Sequence, residues 1–370
     1  MYAFAHLDFV YSCSYLGTLC VMTISLDHPF RPSLLSVEFR GDVIENIHYG
    51  HVAVCNAEGQ LLYSCGIPSV QVYGRSALKI IQALPLLETG AADYFHMTDR
   101  ELALCASSHS GLPSHQEGVR SILTRIGCEV PDLICGSVSP YSGKARDEMV
   151  RGGEPMTGIC NECSGVHAGM LATAVYCKES TRGYEDIRHP VQKRVLDAIR
   201  EVTATSEARI QVGNDGCGIP TYALPLERIA CGFARMTRAS MFQERRASAI
   251  QRMLDAYCLH PEMVTEEDSF TTRLIRAFDG DIIGKEGAKG IFALMHRPKG
   301  LGIAIKVADG TKESIPSVVL SVLSQIGCLE NLPANLDRYR RTELKNSCND
   351  VIGQIEPRIR LQAMPHSLRR

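Results

Sequence analysis

Gly74-Arg75-Ser76-Ala77-Leu78-Lys79-Ile80-Ile81-Gln82 carries a serine and a lysine three residues apart, at what its pattern predicts to be the start of a helix. At that spacing both side chains stand on one face, with β-carbons about 5–6 Å apart. A serine hydroxyl attacks poorly until a base removes its proton. A lysine becomes that base when burial makes its charged form costly and lowers its pKa. Leu78, Ile80, Ile81, Ala83 and Leu84 supply the apolar surroundings this needs. The same Ser-x-x-Lys on a solvated helix carries no chemistry, so the rest of the chain has to decide.

Strands are predicted on both sides of a helical middle. Leu35-Ser36-Val37-Glu38-Phe39 alternates, residues 43–47 and 51–55 read as two further short strands, and Asn56-Ala57-Glu58-Gly59 turns the chain into a hairpin. Pro85 is expected to end or kink the Ser76 helix, because it lacks the N–H that the helix ladder needs. Thr98-Asp99-Arg100-Glu101 has the form of a capping box. The helix it opens breaks at Ser107-Ser108-His109-Ser110-Gly111, a polar run suited to a functional loop. Helices are expected at 115–126, 168–176, 189–204 and 223–258, with 135–154 a long surface loop. Residues 213–221, with three glycines and a proline, read as a tight loop whose polar actor is Asp215. Farther on, residues 278–288 are glycine-punctuated around Lys285, and 291–296, 301–307 and 351–355 alternate as strands around a helix at 313–326. The pattern is that of an α+β fold, a sheet with helices packed on it.

Composition narrows the function. The chain has 370 residues, 45% hydrophobic and 22% charged, an ordinary balance for a globular enzyme. A net charge of -2 leaves no basic field for nucleic acid. Fifteen scattered cysteines do not form a disulfide framework, so a reducing cytoplasm is expected. Cys55, Cys65, Cys128, Cys135, Cys177, Cys231, Cys258 and Cys328 are then read as core thiols. Residues 9–26 carry no charge, yet Asp8 and the lack of a preceding Lys or Arg speak against a signal peptide or membrane span. Residues 1–33 are expected to be an extension outside the core, with Met22 a candidate start.

Ser76-Ala77-Leu78-Lys79, Ser108-His109-Ser110 and Lys285-Glu286-Gly287 follow one another in the order of the Ser-x-x-Lys, second-serine and Lys-x-Gly scheme of serine β-lactamases and penicillin-binding proteins. One Ser–Lys pair makes a nucleophile, a second hydroxyl and lysine relay protons, and backbone N–H groups at the helix start hold the oxyanion. Five longer motifs resemble one family more closely. Gly-Arg-Ser-Ala-x-Lys, Cys-Ala-Ser-x-His-Ser-Gly, Asn-x-Cys-Ser-Gly-x-His-Ala-Gly-Met-Leu, Asn-Asp-Gly-Cys-Gly-Ile-Pro-Thr and Phe-Asp-Gly-x-x-x-Gly-Lys are similar to those of the rhizobial-type L-asparaginase II family. The resemblance runs from about Leu35 to Leu361, making 34–361 the expected catalytic domain and 362–370 a tail.

That resemblance implies hydrolysis of L-asparagine to L-aspartate and ammonia by a homodimer, on a fold akin to serine β-lactamases and glutaminases. It places Ser76 with Lys79 in a first Ser–Lys pair and Ser108 with Lys285 in a second, the neighbouring Ser107 leaving the register open by one. It puts Arg75 and Asp215 at the substrate, Asp215 for the α-ammonium. It also implies a zinc site beside the pocket, with Cys163 and Cys217 as ligands. The family's zinc-binding lysine falls on Val166, which cannot bind metal. Zinc is therefore expected to bind weakly or not at all unless Cys160 turns inward, and the chemistry to require no cofactor. His48, His51 and His115 are read as ordinary hydrogen-bonded residues, His109 and His167 as braces for their loops, and the Glu244-Arg245-Arg246 run as a solvated helix face. The other readings left open are a Ser–Lys amidohydrolase for another amide and a weakened homologue that only binds an amino acid.

Overall fold

The computed structural model describes residues 31–329 and 331–365. Strands β1 (Ser33–Arg40), β2 (Val43–Asn56), β3 (Leu61–Cys65), β4 (Gln71–Tyr73), β5 (Gln211–Asn214), β6 (Pro220–Pro225), β7 (Ile282–Gly287), β8 (Ile291–His296), β9 (Leu301–Val307), β10 (Thr342–Lys345), β11 (Val351–Pro357) and β12 (Gln362–Ala363) form two sheets. The larger has nine strands in the order β10-β11-β1-β2-β9-β8-β7, with β3 on the second half of β2 and β12 beyond β3. Its neighbours all pair antiparallel. Both ends of the described residues thus build one sheet, and the helical middle packs on it. The α+β expectation holds.

Period-two alternation explains how helices come to cover both faces. Val52, Val54, Phe292, Leu294, Ile303 and Ile305 point into one core, shared with the Ile315–Gln325 helix. Their neighbours Ala53, Cys55, Ala293, Met295 and Ala304 point into a second core, under the Leu226–Met236 helix. That second core continues through the Asp99–Cys105, Ser164–Tyr176 and Glu244–Leu259 helices. Because the strands are covered on both sides, β8 is buried along its whole length.

Several sequence expectations are corrected. The two short strands at 43–47 and 51–55 are one strand, β2. Any side chain at Gly50, between those two stretches, would meet the Lys306 carbonyl oxygen at 2.2 Å. The glycine is what lets β2 pass between β1 and β9. The loop at 135–154 contains a helix, Gly143–Gly152, opened by the Ser142 hydroxyl accepting from the Ala145 N–H. The expected tight loop at 213–221 is a hairpin, because its two arms pair as β5 and β6 and β4 joins them in the small sheet β4-β6-β5. That strand pairing shortens the helix expected at 223–258, which becomes β6 and two helices, Leu226–Met236 and Glu244–Leu259. Arg246 is buried against Glu88, Glu201 and Asp197 rather than solvated. Cys128, Cys177 and Cys258 are only half-buried.

Other local signals hold. The Thr98 hydroxyl accepts from the Glu101 N–H and the Glu101 carboxylate accepts from the Thr98 N–H at 2.9 Å, a complete capping box. Pro85 breaks the helix begun at Lys79 and sits at the start of the next, Leu84–Glu88. The expected extension over 1–33 lies outside the described residues up to residue 30, as do residues 366–370 of the expected tail. Within that tail Gln362 and Ala363 pair with β3. Among the described residues no helix is long and apolar enough to cross a membrane.

Candidate active site

The Ser76 turn is held from three sides. Arg75 to Leu78 form a 3-10 turn that passes into the Lys79–Gln82 helix. Arg75 sits at φ +46°, a left-handed conformation that is strained for a side chain of this size. Its guanidinium grips Asp215 bidentately at 2.6 and 3.0 Å, which pins the strained residue to the β5–β6 hairpin. The Gly74 N–H donates to the Tyr222 carbonyl on β6 at 2.9 Å. From the third side comes Gly287 at the end of β7, where a β-carbon would stand 3.0 Å from the Ala77 nitrogen and 3.2 Å from the Gly74 oxygen. The bare backbone of Gly287 thus sets the gap between the Ser76 turn and the strand that carries Lys285.

Around this turn the two lysines converge on one hydroxyl. Lys79 is 2% exposed and Lys285 0% exposed. Lys79 Nζ donates to Ser108 Oγ at 3.3 Å, and Lys285 Nζ donates to the same oxygen at 3.1 Å and to the Glu286 carbonyl at 2.8 Å. Ser108, rather than Ser107, is therefore the serine between the lysines; the buried Ser107 hydroxyl has no partner among the described residues. Ser76 is 9% exposed and its hydroxyl makes no hydrogen bond among the described residues. The first Ser–Lys pair shares a helical turn, but the ammonium of Lys79 turns away, to Ser108 and to Cys163.

The electrostatics separate the two lysines. Burial pushes Lys285 down to about 7; nearby Glu286 offsets part of this and the Lys79 charge adds to it. Burial works against the Lys79 charge too, but the sulfurs of Cys163 and Cys217 and the Glu162 carboxylate outweigh it and lift its pKa above the ordinary lysine value. Lys79 Nζ lies 3.2 Å from Cys163 Sγ. The hydrogen bond from the Cys217 thiol draws Cys163 below the ordinary thiol range against its burial, and Lys79 adds to the pull; the same bond, with burial, pushes Cys217 up. Of the two lysines, only Lys285 can be neutral near pH 7. The lowered pKa expected of Lys79 belongs to its neighbour.

The sequence profile of L-asparaginase II matches residues 37–357. This chain belongs to the L-asparaginase II family. Family membership makes it an L-asparaginase-like amidohydrolase. Among solved structures the chain is similar to a beta-lactamase from Mycobacterium bovis, at 12% sequence identity and a TM-score of 0.39, over 75% of this chain and 94% of that one. No curated protein matches it.

The zinc site implied by the L-asparaginase II resemblance finds only part of its ligand set here. Cys163 and Cys217 do come together. Val166 is buried in the apolar core and offers no donor. Cys160 does not replace it, because its thiol lies against the Met149 sulfur at 3.9 Å. Among the described residues no three His, Cys, Asp or Glu side chains are gathered to hold a metal. The ammonium of Lys79 already donates into the Cys163 sulfur. Two sulfurs and an ammonium do not make a tetrahedral zinc set.

Other predicted residues fall as follows. Asp215 is not free: burial raises its carboxyl, but Arg75 and the Gly216 N–H more than offset this and hold it below the usual range. His51 accepts from the Ile67 N–H, and His48 pairs with Asp309, both from β2. His167 is buried with Nδ1 2.6 Å from the Tyr184 hydroxyl. Cys163 as the partner of Lys79 went unread, since a contact across 84 residues leaves no local signal.

Proposed function

We propose that this L-asparaginase II family member hydrolyses L-asparagine to L-aspartate and ammonia through an acyl-enzyme on Ser76. The observation that carries the reading is the Ser108 hydroxyl bracketed at 3.3 and 3.1 Å by two buried lysines, beside the Ser76 turn. Ser76 Oγ bonds to the side-chain amide carbon while its proton leaves through Ser108 to neutral Lys285. Lys79 remains an ammonium, orients Ser108 and stabilises negative charge. The tetrahedral intermediate collapses as the amide nitrogen takes a proton from Lys285 by the same route and departs as ammonia. Water then repeats the sequence on the ester, which releases aspartate and restores the Ser76 hydroxyl. The Arg75–Asp215 pair, with side chains 25% and 17% exposed, offers one group for each half of an amino-acid zwitterion. The substrate's α-carboxylate meets the free edge of the guanidinium and its α-ammonium meets Asp215. No step passes through zinc.

One observation favours a second reading. Ser108, not Ser76, touches the lysine of low pKa, which would make Ser108 the nucleophile. Ser76→Ala and Ser108→Ala decide between them. Ammonia release from asparagine, glutamine and a β-lactam panel is measured for each, and mass spectrometry locates the acylated peptide in rapidly quenched wild type. The Ser76 reading expects acyl mass on the Ser76 peptide and a loss of several orders of magnitude in kcat for Ser76→Ala. Acyl mass on the Ser108 peptide overturns it in favour of the second reading. Activity on glutamine or a β-lactam alone would replace the substrate. Silence on every substrate, with asparagine still raising Tm, would leave an amino-acid-binding protein.

A further inference from the structure

Ser108 lies on a stretch, residues 107–112, that belongs to no helix or strand, yet its hydroxyl must meet two lysines from separate elements. The hydrogen bonds around His109 show how that is achieved. The Gly111 N–H donates to His109 Nδ1 at 3.1 Å, so this nitrogen carries the lone pair and the ring proton sits on Nε2. His109 Nε2 is 2.8 Å from Ser164 Oγ. Ser164 spends its one hydroxyl proton on the Ile159 carbonyl at 3.0 Å, so it must accept from His109. Every proton in this chain is therefore assigned. The backbone follows the same path, with the His109 N–H on the Glu162 carbonyl at 3.2 Å.

The far end of the loop is fastened in the same way. His115 Nδ1 accepts from the Leu112 N–H at 3.2 Å, which leaves its Nε2–H to donate to the Glu262 carbonyl at 2.9 Å. Two residues on, the Val264 carbonyl accepts the Ser108 N–H at 3.0 Å. The two imidazoles lie 5.2 Å apart between centroids, both buried. Burial lowers the pKa of each, that of His109 well below the ordinary value with further help from His115 and Lys79. Neither adds a third positive charge beside the two lysines.

We propose that His109 is a positioning residue, whose single tautomer ties the Ser108 turn to the Cys163–Ser164 turn and so places Ser108 Oγ between Lys79 and Lys285. The proposal rests on Ser108 serving the reaction. A misplacement near 1 Å at such a group is worth about 100-fold in rate. His109→Ala removes both ring contacts. His109→Gln restores a donor toward Ser164, and Ser164→Ala removes the acceptor while leaving the ring.

Each variant is assayed for kcat and KM on asparagine as folded protein, with Tm measured alongside, and each is combined with Ser108→Ala. The expected result is a kcat lowered about 10- to 100-fold in His109→Ala, with KM within about threefold, and partial rescue in His109→Gln. The decisive readout is epistasis: in the Ser108→Ala background the His109 change costs nothing further, because it acts through Ser108. A residue that merely supports folding would lower Tm and add its loss to that of Ser108→Ala, which overturns the proposal. So does an unchanged kcat in His109→Ala, or in Ser164→Ala and His109→Gln should the alanine variant not fold. Full activity in Ser108→Ala alone would instead remove the catalytic reading on which the proposal stands.

Discussion

Lys285 is the residue on which the pH behaviour turns. Its amine is wholly buried, on β7, with its pKa pushed down to about 7 from the ordinary 10.5. Below pH 7 the native state holds a buried ammonium, and between 7 and 10.5 the unfolded chain keeps a proton that the native state has lost. The unfolded state then binds more protons, so stability rises with pH in that window by the Lys285 contribution. In the proposed mechanism activity follows the same group, since only the neutral amine accepts a proton. We expect kcat to climb through a single acid limb near pH 7 in the wild type. Lys285→Met should lose about 10²–10⁴-fold in kcat. Urea unfolding at pH 6 and pH 9, either side of the Lys285 pKa of about 7, should show the wild type gaining stability at the higher pH more than Lys285→Met does. A limb that stays in place in residual Lys285→Met activity would assign it to another group. Lys79 cannot supply the limb, because the Cys163 and Cys217 sulfurs hold it charged.

At the scale of elements, the site is a junction of β7, the Ser76 turn and the loop after the Asp99–Cys105 helix. Gly287 controls the first of these contacts. A methyl group there would lie 2.6 Å from Ile291 Cγ2 and 3.0 Å from the Ala77 nitrogen, so the turn must move off the strand. Gly287→Ala should cost about 1–3 kcal/mol of stability through overpacking. It should also lower kcat more than tenfold, because the same displacement separates Ser76 from Lys285. Thermal unfolding and steady-state kinetics check the two together. A stable, fully active Gly287→Ala enzyme would mean that the strand and turn approach each other with room to spare. The Arg75–Asp215 clamp acts on the opposite side of the turn, where it holds a residue at φ +46° that would otherwise relax.

For the whole molecule, the question is whether a metal enters beside the lysines. Cys163 and Cys217 face one another, Val166 is committed to the apolar core, and Lys79 donates into the Cys163 sulfur. The Lys79 ammonium already lies against the Cys163 sulfur, so a cation gains little by entering. We expect purified enzyme to carry well under one zinc per chain by elemental analysis, and asparagine hydrolysis to survive incubation with a chelator. A stoichiometric zinc that resists the chelator would mean that a ligand not gathered in this arrangement had moved in. The homodimer that the resemblance implies and the cytoplasmic setting expected from the scattered cysteines would be tested separately, by sedimentation and by fractionation.

Much of the architecture was legible in local patterns. Alternation at 35–39, 291–296 and 301–307 marked three of the strands, and Thr98 with Glu101 and Pro85 marked helix ends, because these signals depend only on neighbouring residues. Of the four residues proposed for catalysis, Lys79, Ser108 and Lys285 are brought together by folding, and the order in which the chain presents them with Ser76 is written in the sequence. What stayed hidden was anything set by distant partners. Whether 43–56 is one strand or two depends on β9 passing Gly50, and whether 213–221 is loop or hairpin depends on β6 finding β4. Which serine stands between the lysines, and which lysine can lose its proton, depend on contacts across 29, 84 and 177 residues. The sequence by itself determined the parts and the order in which the chain presents them. Only the tertiary structure decided their neighbours and the direction in which each pKa moves, because a pKa responds to burial and to neighbouring charge, and both are created by folding.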